Sequence, residues 1–215
     1  MLQAVIFDFD GVIVLSEQPR FQVIQKSAKI HGVIIEDQAI KQLLGRNTRN
    51  FLTDVLSPTQ MSVREAIIAD YEKEYKGNIT KYVQPIGASI EFIKNYQGQI
   101  PFALASMSSR LVVERLLQHF DISTKFVSII CKEDVMNHKP DPEIYLKSAQ
   151  RLSIAPSNCI VIEDTVVGIQ AALNAGMQCF VLINGFNHQE EFTGIPVSGF
   201  IQTEKDFENL IKFAV

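Results

Sequence analysis

Five short apolar runs, Gln3–Phe9, Pro101–Ala105, Phe126–Ile130, Cys159–Ile162 and Gln178–Ile183, alternate with segments of helical periodicity through most of the chain. Each run is too short for a helix and too apolar for a strand with one face in water. Each is therefore expected to be covered on both faces, which is the condition of a strand in a parallel sheet. Helices are expected between them at Ser89–Tyr96, Arg110–His119, Pro142–Leu152 and Val166–Ala175, the last closed by Gly176 as a C-cap.

One interval breaks the alternation. From about Glu17 to Tyr82 no strand-like run occurs, and Phe21, Ile24, Ala28 and later Ile67, Ile68, Tyr71 and Tyr75 recur at helical spacing. Val14–Ser16 marks the departure from the layered pattern and Pro85-Ile86-Gly87 the return. The expected organisation is a core of residues 1–15 and 85–215 with an insert at 16–84. The fold class is α/β: a doubly wound parallel sheet of Rossmann-like form with an inserted all-helical domain. A chain of 215 residues, 47% of them hydrophobic, can bury one substantial core and a small second module.

Charge narrows the range of partners. The 20 basic and 24 acidic residues are interspersed, and the net charge of -4 forms no long single-sign run for nucleic acid or an anionic membrane. No apolar run approaches the length of a membrane span, and no secretory leader pattern precedes the first strand. Cys131, Cys159 and Cys179 lack metal-ligand spacing and read as buried thiols of a reduced, cytoplasmic protein. His31, His119 and His138 read as surface or helix-end residues without a ligand partner.

The first apolar run ends in Phe7-Asp8-Phe9-Asp10-Gly11-Val12. In an extended strand alternate side chains share a face, so Asp8 and Asp10 are expected to project together. Open α/β sheets bind ligands beyond the carboxyl ends of their strands, which is where this pair falls. A solvated strand end would also tolerate aspartate. The other runs end in the same way, however. Pro101–Ala105 leads into Ser106-Met107-Ser108-Ser109, and Cys159–Ile162 leads into Glu163-Asp164. A lysine stands in the turn-rich stretch Asn137-His138-Lys139-Pro140-Asp141-Pro142. Singly, the serines could be N-caps, the acidic pair the first turn of a helix and Lys139 a solvated charge; together they form a candidate site.

These four segments, in this order and with a helical insert after the first, resemble the haloacid dehalogenase-like superfamily over essentially the whole chain. Asp8-Phe9-Asp10-Gly11-Val12 matches its first motif and Ser106 its second. Lys139 in a Lys-Pro-x-Pro context matches the third, and Glu163-Asp164 with Gly168 and Ala171-Ala172 the fourth. The insert is similar to the helical cap of the beta-phosphoglucomutase and phosphoglycolate phosphatase group. The resemblance implies a magnesium-dependent phosphotransferase working through an aspartyl phosphate. Spacing does not say which aspartate attacks. The kinship implies Asp8 as nucleophile and Asp10 as general acid and then base. It also implies Asp8, the Asp10 carbonyl and Asp164 as metal ligands, with Glu163 coordinating or acting through bound water. Lys139 and Ser106 would hold phosphoryl oxygens, and Gly11, Ser16, Arg20, Met107 and Ser108 would contact substrate.

The chemistry agrees with that assignment. A phosphate ester is anionic, and four carboxylates would repel it by several kcal/mol, on the order of 4 kcal/mol for a close pair in a moderately polar site. A cation beyond Lys139 is required, and oxygen donors without a His or Cys cluster favour Mg2+ over zinc. In the family, specificity comes from the cap, which closes over the site and excludes water. The matching loop here is Leu44-Gly45-Arg46-Asn47-Thr48-Arg49-Asn50. Gly45, Arg46 and Arg49 are substrate-binding candidates there, although the two arginines are equally readable as exposed helix charges.

The chain also departs from its relatives. Leu15 precedes Ser16 where many carry an aspartate, and Arg20 and Ser109 stand where the beta-phosphoglucomutase pattern has a histidine and a lysine. The expected function is a phosphatase of a small phosphorylated metabolite, acting as a monomer without nucleic-acid or membrane partners. A sugar phosphomutase and a catalytically silent binding module on the same fold are the alternatives. A receiver-like signalling domain also gathers acidic residues and a lysine at strand ends, but needs no insert and is much shorter.

Overall fold

The structure, a computed structural model, describes residues 2–43 and 47–214. Its strands are β1 (Ala4–Phe7), β2 (Val14–Leu15), β3 (Gln84–Pro85), β4 (Phe102–Ala105), β5 (Phe126–Ile130), β6 (Cys159–Glu163), β7 (Gln178–Leu182) and β8 (Gly199–Ile201). Its helices are α1 (Glu17–Ile30), α2 (Ile40–Leu43), α3 (Thr48–Val55), α4 (Arg64–Tyr71), α5 (Ile79–Tyr82), α6 (Gly87–Asn95), α7 (Arg110–His119), α8 (Glu143–Leu152), α9 (Val166–Asn174) and α10 (Glu204–Ala214). Two compact units divide the chain, Met1–Val14 with Pro85–Val215, and Leu15–Gln84.

The larger unit is built on a six-stranded sheet in the order β5-β4-β1-β6-β7-β8, every neighbouring pair parallel. This is the doubly wound arrangement expected from the alternating runs. The buried strands use their two faces differently. Ala4, Ile6, Ala103, Ala105, Cys159, Val161, Cys179 and Val181 form one face and pack with Ile144, Tyr145 and Ala149 of α8 and Ile169, Ala171 and Ala172 of α9. Small side chains on this face let α8 and α9 approach closely.

The opposite face is aromatic. Phe7 meets Phe102 edge-on at 5.2 Å and Phe126 at 6.0 Å, and Phe207 of α10 stacks on Phe92 of α6 at 4.8 Å. Each fully buried ring of this kind contributes roughly 1.5–3 kcal/mol through removal from water.

The strands depart from expectation chiefly at the end of β1 and in the short β2, β3 and β8, which were not expected. The first strand stops at Phe7 instead of Phe9 because the chain turns there. The Phe9 carbonyl accepts from the N–H groups of Val12, Ile13 and Val14, and Gly11 takes the left-handed conformation (φ 84°) that such a turn requires. The three-residue β8 carried no apolar run long enough to be read as a strand. Elsewhere the agreement is close, and Gly176 follows α9 with φ 73° while its N–H donates to the Leu173 carbonyl.

The smaller unit is helical. Phe21, Ile24 and Ala28 of α1, Phe51 and Leu52 of α3, and Ile67, Ile68 and Tyr71 of α4 are among its buried residues. Helix α4 continues through a π-helical turn, Glu72–Lys76, that carries Tyr75. The Tyr75 ring stacks on Tyr71 at 5.4 Å, and its hydroxyl donates to the Ser16 carbonyl at 3.0 Å. Cys131, Cys159 and Cys179 are free and buried. Among the described residues no helix is long and apolar enough to cross a membrane.

Phe207 touches both Phe7 and Phe92 and is fully buried. Phe207→Ala should therefore destabilise the protein by about 3–5 kcal/mol, seen as a lower urea midpoint with an unchanged slope. A shift under about 1 kcal/mol would mean that α10 is not part of the core.

Candidate active site

Three neighbouring strands and one loop bring the candidate residues together. Asp8 directly follows β1, and its N–H donates to the Ile162 carbonyl of β6 at 2.9 Å. Ser106 directly follows β4, with its N–H on the Ile130 carbonyl at 2.9 Å. Glu163 is the last residue of β6, and Asp164 comes next. Lys139 arrives from the loop before α8, joined to Pro140 by a cis peptide bond. The chain runs from β1 outward through β4 to β5 and then returns to the other side of β1 at β6. The end of β1 is thus the switch point, where an open α/β sheet forms its crevice.

Both aspartates lie just beyond the end of β1, and each has its own partners. Asp8 faces Lys139, whose Nζ lies 2.5 Å from Asp8 Oδ1 and 2.6 Å from Glu163 Oε1. Asp10 faces the segment after β4, and its Oδ2 accepts from the Ser108 hydroxyl at 2.6 Å and the Ser106 hydroxyl at 3.5 Å. Ser106 Oγ also accepts the Ser108 N–H at 2.9 Å, which locks the two serines to each other.

Glu163 is fully engaged. Its Oε1 accepts from Lys139 and from the Tyr145 hydroxyl at 2.8 Å. Its Oε2 accepts from the Asp164 N–H at 2.9 Å, the Thr165 N–H at 3.1 Å and the Thr165 hydroxyl at 3.0 Å. The carboxylate therefore sits against the N-terminus of α9, where free N–H groups favour negative charge. A Cβ at Gly168 would overlap it, so glycine is needed in this first turn. Tyr145 lies beneath the lysine, with Nζ 4.8 Å from its ring centroid.

Asp164 is held differently. The Asn184 amide donates to its Oδ2 at 3.0 Å and to the Gly11 carbonyl at 2.8 Å. Its Oδ1 is buried and has no hydrogen-bond partner among the described residues. Asp8, Glu163 and Asp164 each offer one oxygen within 4.8 Å of the others.

The electrostatics follow from this crowding. Burial above all, then Glu163 and Asp10, hold the Asp8 carboxyl well above the usual carboxylate range against the pull of Lys139. Burial, Glu163 and Asp8 likewise push Asp164 up. Burial would lower the Lys139 ammonium pKa, but Asp8 and Glu163 more than offset that and raise it. Burial would raise Glu163, and Lys139 with the surrounding donors reverses the direction. Four carboxylates share one ammonium, a charge imbalance that a divalent cation would relieve. The unpartnered Asp164 oxygen and the all-oxygen donor set fit a hard cation of the Mg2+ type.

The remaining candidates are dispersed. Gly11 packs its backbone against Asp164, and a Cβ there would overlap that carboxylate. Met107 packs against the core beside α8 and α9. In the helical unit Ser16 is the N-cap of α1 and is buried, while Arg20 pairs with Glu17 at 3.0 Å. Arg49 lies in α3, not in a loop, and forms a bidentate pair with Glu65. Asn47 starts that helix by accepting the Asn50 N–H at 2.8 Å. Gly45 and Arg46 lie outside the described residues. His31, expected to lack a carboxylate partner, has one: its Nε2 is 2.8 Å from Asp70 Oδ2, 39 residues further along the chain.

Sequence reasoning did not single out Tyr145, Thr165, Asn184 or Asn187. Asn184 had an available signal, since it follows the run Gln178–Ile183 just as Ser106 and Glu163-Asp164 end theirs. Tyr145 had none, because a tyrosine on the buried face of an amphipathic helix reads as packing.

A parallel sheet with its acidic cluster and lysine at one edge defines a Rossmann-like hydrolase core. The chain belongs to the haloacid dehalogenase-like hydrolase family, whose model matches residues 5–182. It is 29% identical over 173 residues to the fructose-1-phosphate phosphatase YqaB of Escherichia coli, covering 80% of this chain and 92% of that protein. It is 26% identical over 183 residues to a phosphorylated carbohydrates phosphatase of Thermotoga maritima, covering 82% and 83% respectively. Its fold is shared with a haloacid dehalogenase family hydrolase of Deinococcus radiodurans solved with bound phosphate and sodium. That match has a TM-score of 0.79 and 23% identity, covering 99% of this chain and 96% of the other.

The close seat of Glu163 on α9 generates a test. Gly168→Ala would gain about 1 kcal/mol of helix propensity at an ordinary site, but here its methyl group meets a carboxylate whose oxygens are all bound. A net loss of about 1–3 kcal/mol is expected, measured by thermal or urea melting. Equal or greater stability would show that Glu163 can move aside.

Proposed function

We propose that the protein is a Mg2+-dependent phosphatase that hydrolyses a small sugar phosphate through an aspartyl phosphate on Asp8. The observation that carries this reading is the division of labour between the two aspartates. Asp8 is buried against the Lys139 ammonium, and Asp10 rests on the hydroxyls of Ser106 and Ser108.

In the proposed reaction an Asp8 oxygen forms a bond to phosphorus while the bond from phosphorus to the ester oxygen breaks in line with it. Asp10, protonated at that stage, gives its proton to the leaving oxygen. Asp10 then takes a proton from water as the water oxygen attacks phosphorus, and the bond from phosphorus to Asp8 breaks. Inorganic phosphate is released and Asp8 is restored.

Lys139 and Ser106 hold the phosphoryl oxygens through both steps, with Gly11, Met107 and Ser108 in the adjoining turns. Asp8, Asp164 and the Asp10 carbonyl would hold Mg2+, and its positive charge would offset that of the phosphoryl oxygens. Glu163, with both oxygens occupied, acts by fixing Lys139 and not as a direct ligand. The helical unit serves as the cap, with Ser16, Arg20, Gly45, Arg46 and Arg49 as its substrate-binding candidates. The sugar phosphate class is supported by the named activities of the two relatives.

Two experiments test this reading. An aryl phosphate should be hydrolysed only with a divalent cation present, and Asp8→Asn should lose turnover by at least about 10³-fold while melting as a folded protein. Full activity in excess chelator, or an active Asp8→Asn variant, would remove the mechanism. Binding of phosphate esters without any turnover would instead favour a silent module.

The second experiment separates hydrolysis from phosphoryl transfer between sugar hydroxyls. A mutase must keep water from its aspartyl phosphate and hold a bisphosphate in two orientations. Here Arg20 is an ion-paired guanidinium that stays charged near neutral pH and cannot relay a proton. Ser109 is the N-cap residue of α7. With beta-glucose 1-phosphate and a trace of the 1,6-bisphosphate, free phosphate should appear with little glucose 6-phosphate. Isomerisation that greatly outpaces phosphate release would make this protein a mutase.

A further inference from the structure

We propose that Asn184 is a positioning residue that sets the divalent-cation affinity of this site by clamping Asp164. The inference rests on the metal reading above and extends it to a residue outside the four sequence segments that define the site.

Every polar group of the Asn184 side chain is used. Its two amide hydrogens go to Asp164 Oδ2 at 3.0 Å and to the Gly11 carbonyl at 2.8 Å, and its Oδ1 accepts the Phe186 N–H at 2.9 Å. Rotating the amide by half a turn would set its oxygen against two acceptors and its nitrogen against a donor, so the pattern of partners fixes the orientation. Asn187 secures the same segment. It accepts the Asn184 N–H at 3.1 Å and donates to the carbonyls of Asp164 at 2.8 Å and Leu182 at 3.0 Å.

The two amides therefore hold Asp164 at both its backbone and its side chain, and tie it to the turn that carries Asp8 and Asp10. The consequence is directional. With Oδ2 occupied by a charge-assisted hydrogen bond, the oxygen left over is Oδ1, buried and without a partner among the described residues. Asp164 is crowded by like charge from Asp8 and Glu163. Without the amide, Oδ2 would lose the hydrogen bond that opposes its turning away from them. Outer hydrogen-bond partners of metal ligands typically change metal affinity 10–100-fold when they are removed.

The test uses the full chain and Mn2+ as probe, with free Mn2+ read by its electron paramagnetic resonance signal and Mg2+ as competitor. Asn184→Ala and Asn184→Ser, whose hydroxyl is too short to span both acceptors, should each bind Mn2+ about 10–100-fold more weakly than the wild type. At saturating cation their kcat should recover to within a few-fold. Gln170→Ala, on the exposed side of α9, should bind as the wild type does. Wild-type affinity in a folded Asn184 variant would overturn the proposal while leaving the metal reading intact. A wild type that binds no divalent cation would overturn both. If neither Asn184 variant folds, the amide is a structural strut and the proposal fails.

Discussion

The buried triad Asp8, Lys139 and Glu163 is the constraint around which the larger unit is arranged. Three charged side chains removed from water cost several kcal/mol each, and their mutual attraction offsets this only with good geometry and satisfied hydrogen bonds. The structure meets both conditions at once. Lys139 lies within 2.6 Å of both carboxylates, and Glu163 gains further donors from Tyr145, Asp164 and Thr165. Removing Glu163 would leave Lys139 pulled toward Asp8 alone, which is why an acidic residue that need not touch substrate occupies the centre.

The fold delivers this arrangement by using one face of the sheet for close approach. Ala4, Ala103 and Ala105 let α8 lie near the strands, so Tyr145 reaches under Lys139 instead of standing off from it. Gly168 does the same for α9, bringing its N-terminal N–H groups onto the end of β6. Bulk is placed on the other face, where Phe7, Phe92, Phe102, Phe126 and Phe207 fill the space with rings. Catalytic geometry and hydrophobic stabilisation thus come from opposite sides of the same strands.

Much of this was legible in the sequence, for physical reasons that can be stated residue by residue. A strand covered on both faces must be continuously apolar, so β1, β4, β6 and β7 announced themselves; β5 did so too, although it lies at the sheet edge and leaves Val127 exposed. Polar residues at the strand ends marked Asp8, Ser106, Glu163 and Asp164. Strand β8 escaped because three residues carry no period. The end of the first strand was placed two residues too late, because alternation holds only while the strand continues and the turn begun at Phe9 ends it. Asn184 and Tyr145 were missed because their roles are fixed by partners distant in sequence, Gly11 and Glu163, and no local pattern encodes such a pairing. The pairing of Arg49 with Glu65 is of the same kind.

Spacing alone did not distinguish Asp8 from Asp10, and their surroundings do. The Lys139 ammonium at 2.5 Å favours the ionised form of Asp8, but burial with the acidic neighbours outweighs it and holds the carboxyl above the usual carboxylate range. The Asp10 carboxylate accepts from the hydroxyls of Ser106 and Ser108, groups that can donate or accept by rotating. The two carboxylates thus meet different surroundings, an ammonium at Asp8 and hydroxyls at Asp10. The serines after β4 thereby fix the place of Asp10, and the Ser108 N–H donating to Ser106 Oγ locks the pair itself.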